Sequence, residues 1–90
     1  MSKDERINFS NFIMSLAQTV YVQLGIVEDP FNNQKSKEVE QAKGTIDLLE
    51  MLKEKTKGNL TEEEEKLFED IMYDLKMKYL YEMDKSDKKS

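Results

Sequence analysis

A chain of 90 residues makes one small domain, which by surface scaling buries about 64% of its unfolded surface, enough for a modest core and too little for a deep, walled cleft. It contains no histidine and no cysteine, which removes the commonest acid–base group, the usual zinc ligands, the thiol nucleophile and any disulfide. Charged residues make 37% and apolar residues 38%, with a net charge of −5; that balance fits a folded helical protein and opposes nucleic-acid binding, which needs a basic footprint.

Residues 1–7 read as a flexible N-terminus, residues 8–83 as a single helical domain and residues 84–90 as a flexible polar tail. The start, Met1-Ser-Lys-Asp-Glu-Arg6, carries two acids and no targeting pattern. Residues 7–27 contain no charge, yet Asn8, Asn11, Ser15, Gln18 and Gln23 interrupt them, which argues against a membrane span. A cysteine-free chain of this kind is expected in the cytoplasm.

The first helical segment is expected from about Phe9 to Leu24, with Asn8 as N-cap and Gly25 as a left-handed stop. Phe9, Phe12, Ile13, Leu16, Ala17, Val20, Tyr21 and Leu24 cover about 180° of that helix at 100° per residue. Glu28-Asp29-Pro30 bars continuation. Phe31 then precedes the polar turn Asn32-Asn33-Gln34 and is expected to tuck back onto the core. Ser36 is a candidate cap for the second segment, expected from Lys37 to Lys57 with Val39, Ala42, Ile46, Leu49 and Leu52 inward and Leu48 widening the stripe. Lys53, Lys55 and Lys57 suit the negative end of its dipole, and Gly58 ends it.

The third segment opens on Thr61-Glu-Glu-Glu64, a capping box in which the Thr61 hydroxyl and the Glu64 carboxylate satisfy each other's backbone N–H groups. Leu67, Phe68, Ile71, Met72, Leu75, Tyr79 and Met83 form its main face; Tyr73, Met77, Leu80 and Tyr81 form a second, weaker one. The short turn Gly58-Asn59-Leu60 requires segments two and three to pack as an antiparallel hairpin. The fold class is therefore all-α, a three-helix arrangement of that hairpin and an apolar N-terminal helix.

Phe9-Ser-Asn-Phe-Ile-Met-Ser-Leu-Ala17, Leu24-Gly25, Asp29-Pro30, Thr45-Ile-Asp-Leu-Leu-Glu-Met-Leu52, Lys55-Thr-Lys-Gly-Asn-Leu-Thr-Glu-Glu-Glu64 and Tyr73-Asp-Leu-Lys-Met-Lys-Tyr79 together resemble the bacterial family called domain of unknown function 1844. The likeness spans about Phe9 to Tyr79. It implies a small helical cytoplasmic protein and carries over no active site. Lys76 stands where the family pattern leads one to expect arginine, which weakens any bidentate pairing there.

Catalysis has little to work with. Glu62–Glu65 is explained as a helix start, supported by the Glu62→Lys66 spacing, and no Glu-x-x-His pair or calcium loop accompanies it. Asp47, Glu50 and Asp74 are the carboxylates nearest the apolar stripes; each reads first as an edge carboxylate paired with a lysine. Gly44 inside a helix suggests close approach of a neighbour, and Met51 and Met77 lie off the main stripes.

The sequence thus favours a non-enzymatic interaction module without a cofactor. It is expected to be a homodimer or small homo-oligomer, or to dock on an unidentified protein, through Phe12, Leu16 and Val20 of the first helix and Tyr73, Met77, Leu80 and Tyr81 of the third. One rival is a carboxylate-dependent enzyme at an oligomer interface, using Glu50 with Asp47 or Asp74. Another, a peripheral membrane binder, suffers because the first helix has no lysine or arginine on its polar side.

Overall fold

The computed structural model describes residues 8–89, with side chains described through residue 85, and places three helices there: α1 (Phe9–Gln23), α2 (Val39–Lys55) and α3 (Glu62–Lys89). They take up two thirds of the 90 residues, and no strand occurs among the described ones. The N-terminal segment 1–7 lies outside the described residues.

Local chemistry starts and stops these helices. The Asn8 side chain accepts the Asn11 N–H at 2.8 Å, an N-cap placed where the apolar period begins. At the other end of α1, Gly25 has φ +79°. Its N–H donates to Val22 O at 3.0 Å, and the Ile26 N–H donates to Tyr21 O at 3.0 Å. Those two bonds make a Schellman stop, and Ile26 packs against the core as that motif favours. A Cβ at Gly25 would lie 3.4 Å from Ser36 O and 3.5 Å from the Lys37 Cβ. The glycine therefore serves both the turn and the close return of the chain.

That return decides where α2 begins. The Glu38 N–H donates to Gln23 O at 2.7 Å, tying residues before the helix to the end of α1. Helix α2 consequently starts at Val39 with Glu38 as N-cap and no side-chain cap. It does not start at Lys37 behind Ser36.

Between the helices, Phe31 does not return to the core; it is 96% exposed. The Asp29 carboxylate accepts the Phe31 N–H at 2.8 Å, Asn32 Oδ1 accepts the Gln34 N–H at 3.0 Å, and Asn33 adopts φ +55°. These side-chain-capped turns hold the loop by its own polar groups and leave the ring outside.

The capping box at α3 forms as read. The Glu64 N–H donates to Thr61 Oγ1 at 3.1 Å and the Thr61 N–H donates to Glu64 Oε1 at 3.0 Å. Thr61→Ala is expected to cost about 1 kcal/mol in urea unfolding. The helix then runs through Lys89, past the tail expected from residue 84. Asp84 to Lys89 contains neither glycine nor proline, and lysines at a helix end favour the dipole.

The three helices all touch one another. Glu50 pairs with Lys76 and Lys37 pairs with Glu82 at 3.0 Å; partners thus climb α3 as they descend toward the start of α2, which is an antiparallel arrangement. Helix α1 lies alongside both, with Phe9 against Phe68 at 5.7 Å and Gln23 accepting from the Thr45 hydroxyl at 2.8 Å. The core between them is Ile13, Ala17, Val20 and Leu24 of the first helix and its cap, Ala42, Ile46 and Leu49 of α2, and Phe68, Met72 and Leu75 of α3. No buried polar or charged residue occurs among the described residues. Stability therefore rests on apolar burial.

Two departures concern α2. Leu48 is 41% exposed and faces outward, so the core stripe is narrower than its spacing suggests. A Cβ built at Gly44 meets nothing within 4 Å, so no neighbour needs the gap. Gly44→Ala is expected to raise stability by about 0.5–1 kcal/mol, since alanine costs less backbone entropy in a helix. Gly58, at φ +85° in the turn closed by the Asn59 N–H on Thr56 O, should respond oppositely to valine. A shared sign in the two urea midpoint shifts would contradict this backbone assignment.

Candidate interaction surface

The three carboxylates singled out by sequence are all committed to partners. Asp47 takes Lys43 at 3.0 Å, one turn earlier on α2. Glu50 meets Lys76 across the α2–α3 seam, both side chains about half exposed. Asp74 takes Lys78 at 2.7 Å and also accepts the Tyr21 hydroxyl from α1. Asp47 and Glu50 thus share the α2–α3 side, whereas Asp74 faces α1, and no pair of them with Asp74 is assembled. Among the described residues no group of three or more acidic side chains could hold a metal ion.

Electrostatics follows those contacts. The Lys78 ammonium and then the Tyr21 hydroxyl hold the Asp74 carboxyl below its ordinary value, against a smaller opposing effect of burial. The hydrogen bond to Asp74, with burial and the nearby negative charge, pushes the Tyr21 phenol up to about 12. Lys78 also lies 5.9 Å over the Tyr21 ring. The three side chains form a clamp between α1 and α3. Sequence spacing carries no sign of it, because the partners stand 53 residues apart.

The apolar surface is the more informative feature. Tyr73 (70% exposed), Met77 (51%), Leu80 (53%) and Tyr81 (63%) all remain open on α3. At 100° per residue they occupy an arc of about 100°, turned away from Phe68 and Leu75. Beside this stripe, Ile46, Tyr79 and Leu80 line a groove of about 240 Å³ together with Lys43, Asp47, Glu50 and Lys76. The groove's polar residues carry both signs of charge.

The first helix contributes less than its wide arc suggests. Val20 is fully buried in the core and cannot belong to an outer surface. Leu16 is partly buried against the same cluster, and Phe12 alone of the three stays exposed, at 48%. Contact with both arms of the hairpin covers what a single groove would have left open. Met14, Leu48 and Met51 add isolated exposed positions, which are ordinary on a protein surface.

Three packed helices around an apolar core, with the carboxylates committed to partners and one long exposed stripe, define a small all-α domain. A family model described as Domain of unknown function (DUF1844) matches residues 6–82, and the chain belongs to that family. No match is found among curated proteins or among solved structures.

Proposed function

We propose that this chain is a non-enzymatic module that acts by binding protein surfaces through the outer face of α3, as a homo-oligomer or on another protein, in the cytoplasm. The observation that carries it is the stripe Tyr73, Met77, Leu80 and Tyr81, four large side chains each more than half exposed on one face. Aromatic and methionine side chains are the types enriched where interfaces are fully buried. The lysine partners of Asp47, Glu50 and Asp74 support the non-enzymatic reading, and the net charge of −5 opposes nucleic acid. No helix among the described residues is long and apolar enough to cross a membrane.

Chemical cross-linking in native extract tests the reading. The chain is expected in complexes above its own mass, and Leu80→Glu is expected to abolish them with helicity unchanged by circular dichroism. Identical patterns for both proteins would reject the α3 surface. A turnover lost in Glu50→Gln with the fold intact would reject the non-enzymatic assignment.

A further inference from the structure

We propose that the cavity between α1, the loop that follows it and α2 is a binding site for a neutral, hydroxyl-rich ligand of sugar type, with the Phe31 ring as its platform. The cavity has a volume of about 460 Å³, and none of its described lining residues belongs to α3. It is therefore a second site, independent of the α3 stripe.

Two chain segments are drawn together to make it. The Glu38 N–H on Gln23 O at 2.7 Å brings the start of α2 to the end of α1. Farther along α2, the Thr45 hydroxyl on Gln23 Oε1 at 2.8 Å holds the same junction. The loop supplies the remaining wall and is tied to itself. The Asp29 N–H donates to Gln34 O at 2.9 Å and the Asn33 N–H to Asp29 O at 2.7 Å, beside the side-chain bonds from Asp29 and Asn32. Pro30 fixes its own φ in that turn. Phe31 is thus presented in a set place beside the cavity. A ring that is 96% exposed adds nothing to the core, so folding gives no reason for an aromatic residue there.

The lining selects the ligand. Gln18, Thr19, Gln23, Asn32, Ser36 and Gln41 supply amide and hydroxyl groups, and Asp29 and Glu38 add carboxylates. No lysine or arginine stands among the described lining residues, so an anion would meet like charges and no opposite one. A wholly apolar ligand would strand the polar side chains. A small cation would satisfy the two carboxylates and leave the amides and hydroxyls idle. A sugar uses the whole set. Its hydroxyls donate to carboxylates, donate to and accept from amides, and leave a C–H face to lie on the Phe31 ring. Thr19 fits that division, because its proton goes to Ser15 O at 3.1 Å and its oxygen is left to accept. The volume lies within the range of small-ligand sites, roughly 300–1,000 Å³. A ring so open to water leaves much of the ligand solvated, which sets the expected Kd on the order of 1 mM.

Titration of the full chain followed by nuclear magnetic resonance tests the site, with maltose, cellobiose, trehalose and diacetylchitobiose as neutral probes up to about 20 mM. At least one should shift the backbone amides of Thr19, Gln23, Phe31 and Gln41 together and saturably. Phe31→Ala and Gln41→Ala, both at exposed positions, should each weaken that binding at least about fivefold, with helicity unchanged. Leu80→Glu on α3 should leave it intact, so the two surfaces succeed or fail separately. No saturable shift at these amides with any of the four disaccharides overturns the proposal. Full affinity in Phe31→Ala overturns the ring as platform. Spermidine shifting the same amides at lower concentration than every disaccharide overturns the neutral ligand and assigns the cavity to an amine.

Discussion

Phe68→Ala is expected to lower the free energy of unfolding by about 3–5 kcal/mol. Phe68 heads the fully buried side chains in volume, and its ring stacks obliquely on Phe9 at 5.7 Å and 56°. The contact joins the first turn of α1 to α3, so the truncation loses burial, leaves a cavity and gives up an aromatic pair. A domain of 90 residues has only about 5–13 kcal/mol of stability in total, so roughly a quarter or more of it disappears. Phe31→Ala, at a ring outside the core, should change the free energy of unfolding in urea by no more than about 0.5 kcal/mol. Equal effects of the two substitutions would mean that α1 does not seat on α3 as described.

Most of the fold was legible because its punctuation is local. A cap needs only a side-chain oxygen and an N–H three residues away, so Asn8 and the Thr61–Glu64 box could be read from adjacent letters. Gly25 marked a stop for the same reason. The start of α2 escaped because its determinant is tertiary, the Glu38 N–H committed to Gln23 O. Phe31 was misplaced because an aromatic residue suggests an anchor, while Asp29 and Asn32 had already satisfied the loop without it.

The surface was legible on α3 and less so on α1, for one reason. A helix at the side of a hairpin shows its covered arc in its spacing only if the number of contacting neighbours is known. Helix α3 also meets both neighbours, but its buried Phe68, Met72 and Leu75 lie opposite Tyr73, Met77, Leu80 and Tyr81, so the two stripes separate cleanly. Helix α1 meets both other helices, and its broad apolar arc is the imprint of two contacts. Val20 sits between them and is buried. A wide uncharged helix is therefore weaker evidence of a partner than a second stripe on a helix whose core face is already complete.

Tyr21→Phe is expected to cost about 1–2 kcal/mol near neutral pH, the range for a hydrogen bond to a charged acceptor reduced for solvent. The reduction applies because the Asp74 side chain is 40% exposed. The dependence on pH has a defined sign at each end. Lys78 and Tyr21 hold the folded Asp74 carboxyl below its ordinary value, so this contribution is present above about pH 4 and fades as acid protonates it. Folding raises the Tyr21 phenol from 10.0 to about 12, so the same contribution is complete below pH 10 and is lost as pH climbs toward 12. The gap in urea midpoint between wild type and Tyr21→Phe should thus be level from about pH 5 to 9 and narrow on both sides. Asp74→Asn, which keeps an acceptor but removes the charge, should abolish the acid-side narrowing and weaken the hold of α1 on α3. A gap that stays constant from pH 3 to 11, or that is absent at pH 7, would show that this clamp does not join the two helices.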